Sequence, residues 1–139
     1  MLLHSINAAA SAHEVEPIFE ALPGRRVYAV DLPGFGLSER RAMEYDRDMY
    51  VAAVSDMLDV ITRDASVVGV DILAVSLAAE FAASVASRDD VSVRSLALIS
   101  PTGFEPTYGW SSGRARSRRR PLVECVLSSP AVGKVAVRT

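Results

Sequence analysis

The amino-acid sequence predicts an α/β domain, a mostly parallel sheet with helices on both faces. Three observations carry this. Segments of strand character alternate with segments of helical period in the order strand, helix, strand, helix, strand, helix, strand, and such alternation builds a parallel sheet. Two of the strand segments, Ile72-Leu73-Ala74-Val75 and Leu96-Ala97-Leu98-Ile99, are apolar at every position, as strands covered on both faces must be. Half of the 139 residues are hydrophobic, enough for a sizeable core in a chain of single-domain length.

The elements follow in order. Met1–His4 reads as the end of an apolar strand. Ser11-Ala12-His13-Glu14 matches the S-x-x-E capping box, in which the serine oxygen and the glutamate carboxylate satisfy backbone N–H groups at a helix start. Val15, Ile18, Phe19 and Leu22 then recur at helical spacing, with Pro17 expected to kink the helix and Pro23-Gly24 to end it. Val27–Val30 is a strand of β-forming residues, and Asp31-Leu32-Pro33-Gly34-Phe35-Gly36 is a turn, because two glycines and a proline forbid regular structure. Asp46 is placed to cap a long helix whose inner face is Met49, Tyr50, Ala53, Val54, Met57, Leu58 and Ile61. Val70–Val75 is a strand, Leu77–Ser87 an alanine-rich helix and Val93–Ser100 a strand ended by Pro101. After Phe104 the pattern breaks down into a polar Gly/Ser/Arg stretch, followed by an apolar segment, Leu122–Val137, of helical character.

Charge divides the chain the same way. Residues 1–105 carry 8 basic and 16 acidic side chains, whereas residues 106–139 carry 7 basic and one acidic. We therefore expect a core at 1–105 and a separate lid, cap or basic tail at 106–139. Arg114–Arg120 would suit a nucleic-acid or membrane surface, but no aromatic side chains are interleaved with the arginines, and a solvated lid or linker is the expectation. No nucleic-acid or membrane partner is expected. The single cysteine, Cys125, cannot form an internal disulfide, and as a small apolar filler it fits a reducing compartment. The opening residues lack the basic segment and the apolar length of a signal peptide, and Asp71 and Glu80 break the apolar run Val67–Ala86. A cytoplasmic protein is expected.

The segment with the clearest chemistry is Ala74-Val75-Ser76-Leu77-Ala78, where a buried strand meets a helix. A nucleophile elbow is a strained strand-to-helix turn, and the residues two before and two after the nucleophile crowd each other, so both must be small. Alanines stand here where glycines are usual. Such a turn lifts the Ser76 hydroxyl clear of the sheet and aims the Leu77 N–H, backed by a helix N-terminus, at a developing oxyanion.

Taken together, Leu2-Leu3-His4-Ser5-Ile6-Asn7, the D-L-P-G-F-G-L-S stretch at Asp31–Ser38 and the elbow resemble the α/β-hydrolase family, in that family's order, over roughly residues 1–105. The resemblance implies a partial α/β-hydrolase fold and a serine hydrolase acting on an ester or related carbonyl of a small molecule by acyl transfer through Ser76. It also implies no metal or organic cofactor. Where relatives have His-Gly, this chain has His4-Ser5, so the second oxyanion donor becomes the Ile6 N–H, and serine resists the φ values that glycine accepts. By the same resemblance His4 is structural, and His13 reads as a solvated or capping side chain. These are the only two histidines. The family places its acid and histidine on later segments, with Glu105 near an alternative acid position, and has strands before the first one here. The chain is thus expected to be the N-terminal and central part of a longer enzyme, inactive alone, or else a non-catalytic α/β-hydrolase-like binding protein or inactive fragment.

Overall fold

A computed structural model describes residues 1–89 and 92–104. Four strands, β1 (Leu2–Leu3), β2 (Ala29–Val30), β3 (Val70–Val75) and β4 (Val93–Ile99), form one sheet in the order β2-β1-β3-β4, every pairing parallel. Between them lie a 3-10 turn at Ala12–Val15 that runs into α1 (Glu16–Glu20), then α2 (Arg47–Ala65) and α3 (Ala78–Ala86).

The strand order dictates the layers. From β1 the chain steps to one side to add β2, then crosses back over β1 to add β3 and continues outward to β4. Parallel crossovers are right-handed, so reversing the direction of travel moves the connecting helix to the opposite face. The packing agrees: α2 and α3 lie against each other and against β3, whereas the 3-10 turn lies against β1 and β2. Leu3, Ile72, Ala74 and Leu96 join Val54, Leu58 and Phe81 in one buried cluster, while Leu2 and Val15 are equally buried but stand outside it.

Helix α2 begins as the sequence predicts, with the Asp46 carboxylate accepting the Met49 N–H at 2.8 Å. Its buried face is Tyr50, Val51, Val54, Leu58 and Ile61, wider than a single stripe because it meets both β3 and α3. Phe81 of α3 is fully buried and stacks on Tyr50 at a centroid distance of 5.0 Å. Helix α3 is buried nearly all round, and its alanines let it approach both sheet and α2 closely.

Three expectations are corrected. Pro17 kinks nothing: it sits in the first turn of α1, where its missing N–H would have had no helical partner, and a 3-10 turn precedes it. With the helix reset in this way, Val15 is fully buried and Phe19 is 47% exposed. The capping box does not form. Ser11 is the N-cap residue but its side chain caps nothing, since the Glu14 N–H donates to the Ser11 carbonyl at 3.0 Å in the 3-10 turn, and the Glu14 carboxylate binds Ser5 instead of reaching back to Ser11. The strand expected at Val27–Val30 shortens to Ala29–Val30, since β1 pairs with it over two residues, Leu2 and Leu3. Residues 106–139, with Glu105, Arg114–Arg120 and Cys125, lie outside the described residues. Among the described residues no helix is long and apolar enough to cross a membrane.

Candidate active site

In an open parallel sheet, the loops leaving the C-terminal ends of the strands form a crevice where the direction of strand addition reverses. Here that reversal lies between β1 and β3. The register pairs Leu3 with Ala74. Ile6 follows Leu3 by three residues and Ser76 follows Ala74 by two, so the loop after β1 and the turn after β3 leave the same edge of neighbouring strands. The segment after β4 leaves beside them, because Val75 pairs with Ile99.

The turn after β3 is tight. Ser76 adopts φ 55°, a left-handed conformation that is costly for any residue with a Cβ. Surrounding bonds hold it there. Its N–H donates to Ile99 O at 2.9 Å, and its carbonyl accepts from the Ala79 and Thr102 N–H groups at 3.1 and 3.3 Å. Ala74 and Ala78 are both fully buried, which is why small residues flank the turn. The Ser76 Oγ lies 3.4 Å from Thr102 Oγ1, a long contact in which either hydroxyl can donate. Among the described residues, neither the Leu77 nor the Ile6 N–H donates to any acceptor, although both residues pack against the core.

Thr102 is held in place from behind. A Cβ on Gly103, at φ +88°, would come within 2.3 Å of Glu80 Oε2 and 2.5 Å of Leu77 Cδ1. Only glycine lets the segment after β4 lie this close to the start of α3. Glu80 in turn is anchored, its Oε1 accepting from Arg47 Nε at 2.7 Å while Arg47 Nη2 donates to Ser84 Oγ.

The loop after β1 is fixed by a small polar network. The Glu14 carboxylate accepts the Ser5 N–H at 2.7 Å and the Ser5 hydroxyl at 2.9 Å, and Asn7 Nδ2 donates to Ser5 Oγ at 2.6 Å. Ser5 does not use a positive φ, so the strain foreseen in replacing glycine does not arise. His4 is fully buried. The Leu32 N–H donates to its Nε2 at 3.1 Å, so Nε2 carries no proton and Nδ1 donates to Ser5 O at 2.6 Å. With Phe35 edge-on at 5.2 Å, His4 ties this loop to the turn after β2.

That turn is organised by Asp31, which accepts the Ala12 N–H at 2.6 Å and the Leu37 N–H at 2.9 Å. Partial burial disfavours its charge, but these two N–H donors outweigh it and hold the carboxyl below its ordinary range. A Cβ on Gly36, at φ +51°, would fall 2.2 Å from this carboxylate. Asp71, at the opposite end of β3, is also held well below the usual carboxylate range, by the Arg94 guanidinium and the Ser95 hydroxyl. It anchors β4 to β3.

The structure thus brings the loops carrying Ser76, Leu77 and Ile6 to one edge, and keeps both histidines elsewhere. His4 spends both ring nitrogens on backbone groups, and His13, its side chain 85% exposed, pairs with Glu16 at 2.7 Å. Among the described residues no group of three or more His, Cys, Asp or Glu side chains gathers to hold a metal. Thr102, Glu14 and Glu80 were not legible as site residues in the sequence, because each enters through strand pairing or a distant side chain.

A sequence model of the family described as alpha/beta hydrolase fold matches residues 1–121. Comparison with curated proteins and with solved structures finds no match.

Proposed function

The chain belongs to the α/β-hydrolase fold family, and from that premise we propose that it carries the nucleophile and oxyanion-binding half of a serine hydrolase. The supporting observation is Ser76 itself, a serine forced to φ 55° between two fully buried alanines at the switch point of the sheet. Strain of this kind concentrates at functional turns. In the proposed reaction Ser76 Oγ attacks the carbonyl carbon of a small ester or related substrate. The Leu77 and Ile6 N–H groups hold the oxyanion, each such donor being worth about 10²–10³ in rate. A base must take the hydroxyl proton, because serine is a weak nucleophile without one. Neither His4 nor His13 is placed to do so, since both are committed to other bonds, so the base and the acid that orients it are left for other groups to supply. Turnover by the 139-residue chain alone is therefore expected to keep only the residual help of oxyanion hole and binding, about 10³–10⁴-fold over water and far below that of a complete triad.

Chemical rescue tests this. Imidazole in solution replaces the missing base, and a fluorophosphonate reports Ser76 by peptide mass spectrometry. The expected result is a labelling rate at Ser76 that rises with imidazole concentration and disappears in Ser76→Ala. A folded chain that stays unlabelled at Ser76 at every imidazole concentration refutes it. That outcome favours the second reading, a non-catalytic α/β-hydrolase-like binding protein, for which the commitment of both histidines to other bonds already speaks.

A further inference from the structure

We propose that Glu14 is a positioning residue that decides which backbone N–H of the loop after β1 is offered to an oxyanion, an inference that rests on Ser76 being the nucleophile. The loop presents two consecutive candidates, the Ser5 and Ile6 N–H groups. The Glu14 carboxylate takes the first at 2.7 Å, and among the described residues the second donates to nothing. The choice is locked by a side chain that a glycine at this position would lack. Ser5 Oγ donates to the other Glu14 oxygen at 2.9 Å and accepts from Asn7 Nδ2 at 2.6 Å, while Asn7 Oδ1 accepts the Ala9 N–H at 3.0 Å. Residues 5, 7, 9 and 14 are thereby joined in one hydrogen-bonded set that encloses Ile6. The carboxylate reaches Ser5 because Glu14 lies in the 3-10 turn packed against β1, and it forgoes helix capping to do so.

Preorganised donors help a transition state because their orientation is already set when the charge develops. Without Glu14, the Ser5 N–H competes for the oxyanion and the peptide that carries the Ile6 N–H is free to turn. Glu14 touches no reacting atom in this scheme. Its effect passes through the orientation of Ile6.

The test measures acylation of Ser76 in the full 139-residue chain with imidazole present, using an ester and the matching thionoester, which places the larger and more weakly hydrogen-bonded sulfur where the oxyanion would form. Glu14→Ala is expected to slow ester acylation by about tenfold or more and to lower the ester-to-thionoester rate ratio. Glu14→Gln, which keeps an acceptor for the Ser5 N–H, should restore most of both. Equal slowing of ester and thionoester, or no slowing, overturns the proposal. Amide hydrogen exchange on the unmodified chain gives a second measurement that does not depend on a variant folding. The Ser5 N–H should exchange slowly and the Ile6 N–H quickly, and an Ile6 N–H as protected as that of Ser5 overturns the proposal outright. If the exchange pattern is as expected but Ser76 is never acylated, the nucleophile assignment has failed, and the positioning role falls with it.

Discussion

Replacing Ser76 by glycine should stabilise the protein, and by an amount that can be worked out. At φ 55° a residue with a Cβ pays about 1–2 kcal/mol relative to glycine. Glycine returns about 0.5–1 kcal/mol of this through the greater freedom of its unfolded chain. Comparing Ser76→Gly with Ser76→Ala cancels the loss of the hydroxyl and its long contact with Thr102, since both variants lack it. The glycine variant should therefore be the more stable by roughly 0.5–1 kcal/mol, or about 2–4 °C in Tm for a domain of this size. Urea unfolding followed by circular dichroism measures the difference. Ser66, which ends α2 at φ 51°, provides the control, and its Gly and Ala variants should differ in the same sense. If the alanine variant at Ser76 equals or exceeds the glycine variant while the Ser66 pair behaves as expected, the turn at Ser76 is not strained, and its conformation is not one kept for function. A gain in stability at the cost of Ser76 labelling is the trade expected where strain serves a reaction.

Two further outcomes follow from the turn after β2. Gly36→Ala places a methyl 2.2 Å from the Asp31 carboxylate at a left-handed φ, and should cost about 2 kcal/mol or more, against about 1 kcal/mol for Gly24→Ala, which has the same backbone penalty but open space. Equal losses in denaturant titrations would show that the Asp31 carboxylate moves aside freely. Asp31 itself, with a folded pKa held below its unfolded value of about 3.9, stabilises the protein above that value, and this contribution fades as pH falls through the folded pKa. Asp31→Asn should thus cost about 1–3 kcal/mol at pH 7, because one N–H loses a charged acceptor and another meets an amide donor. The gap from the unmodified chain should narrow below pH 4, and a gap that stays constant from pH 7 to pH 3 contradicts the assignment.

Much of this protein is determined locally and can be read from sequence. The period of Tyr50, Val54, Leu58 and Ile61 makes α2 because one face of a helix must be buried, and Asp46 starts it because a carboxylate satisfies an N–H that the helix leaves open. The unbroken apolar run Ile72–Val75 makes β3 an inner element of a parallel sheet, whereas the similar run Leu96–Ile99 in β4 lies at the edge of the described sheet with only Leu96 buried, and the small residues around Ser76 permit a turn that larger ones would block. Tertiary structure decided the rest, wherever a group had more than one possible partner. Glu14 had a local partner at the Ser11 cap and a distant one at Ser5, and the distant one prevailed because the fold carries the 3-10 turn onto β1. Thr102 reaches Ser76 only because β4 pairs with β3 and Gly103 allows a close approach over the start of α3. The loop of Ile6 becomes a neighbour of Ser76 only because the chain reverses direction across β1, and strand order is a property of long-range pairing that no local pattern encodes.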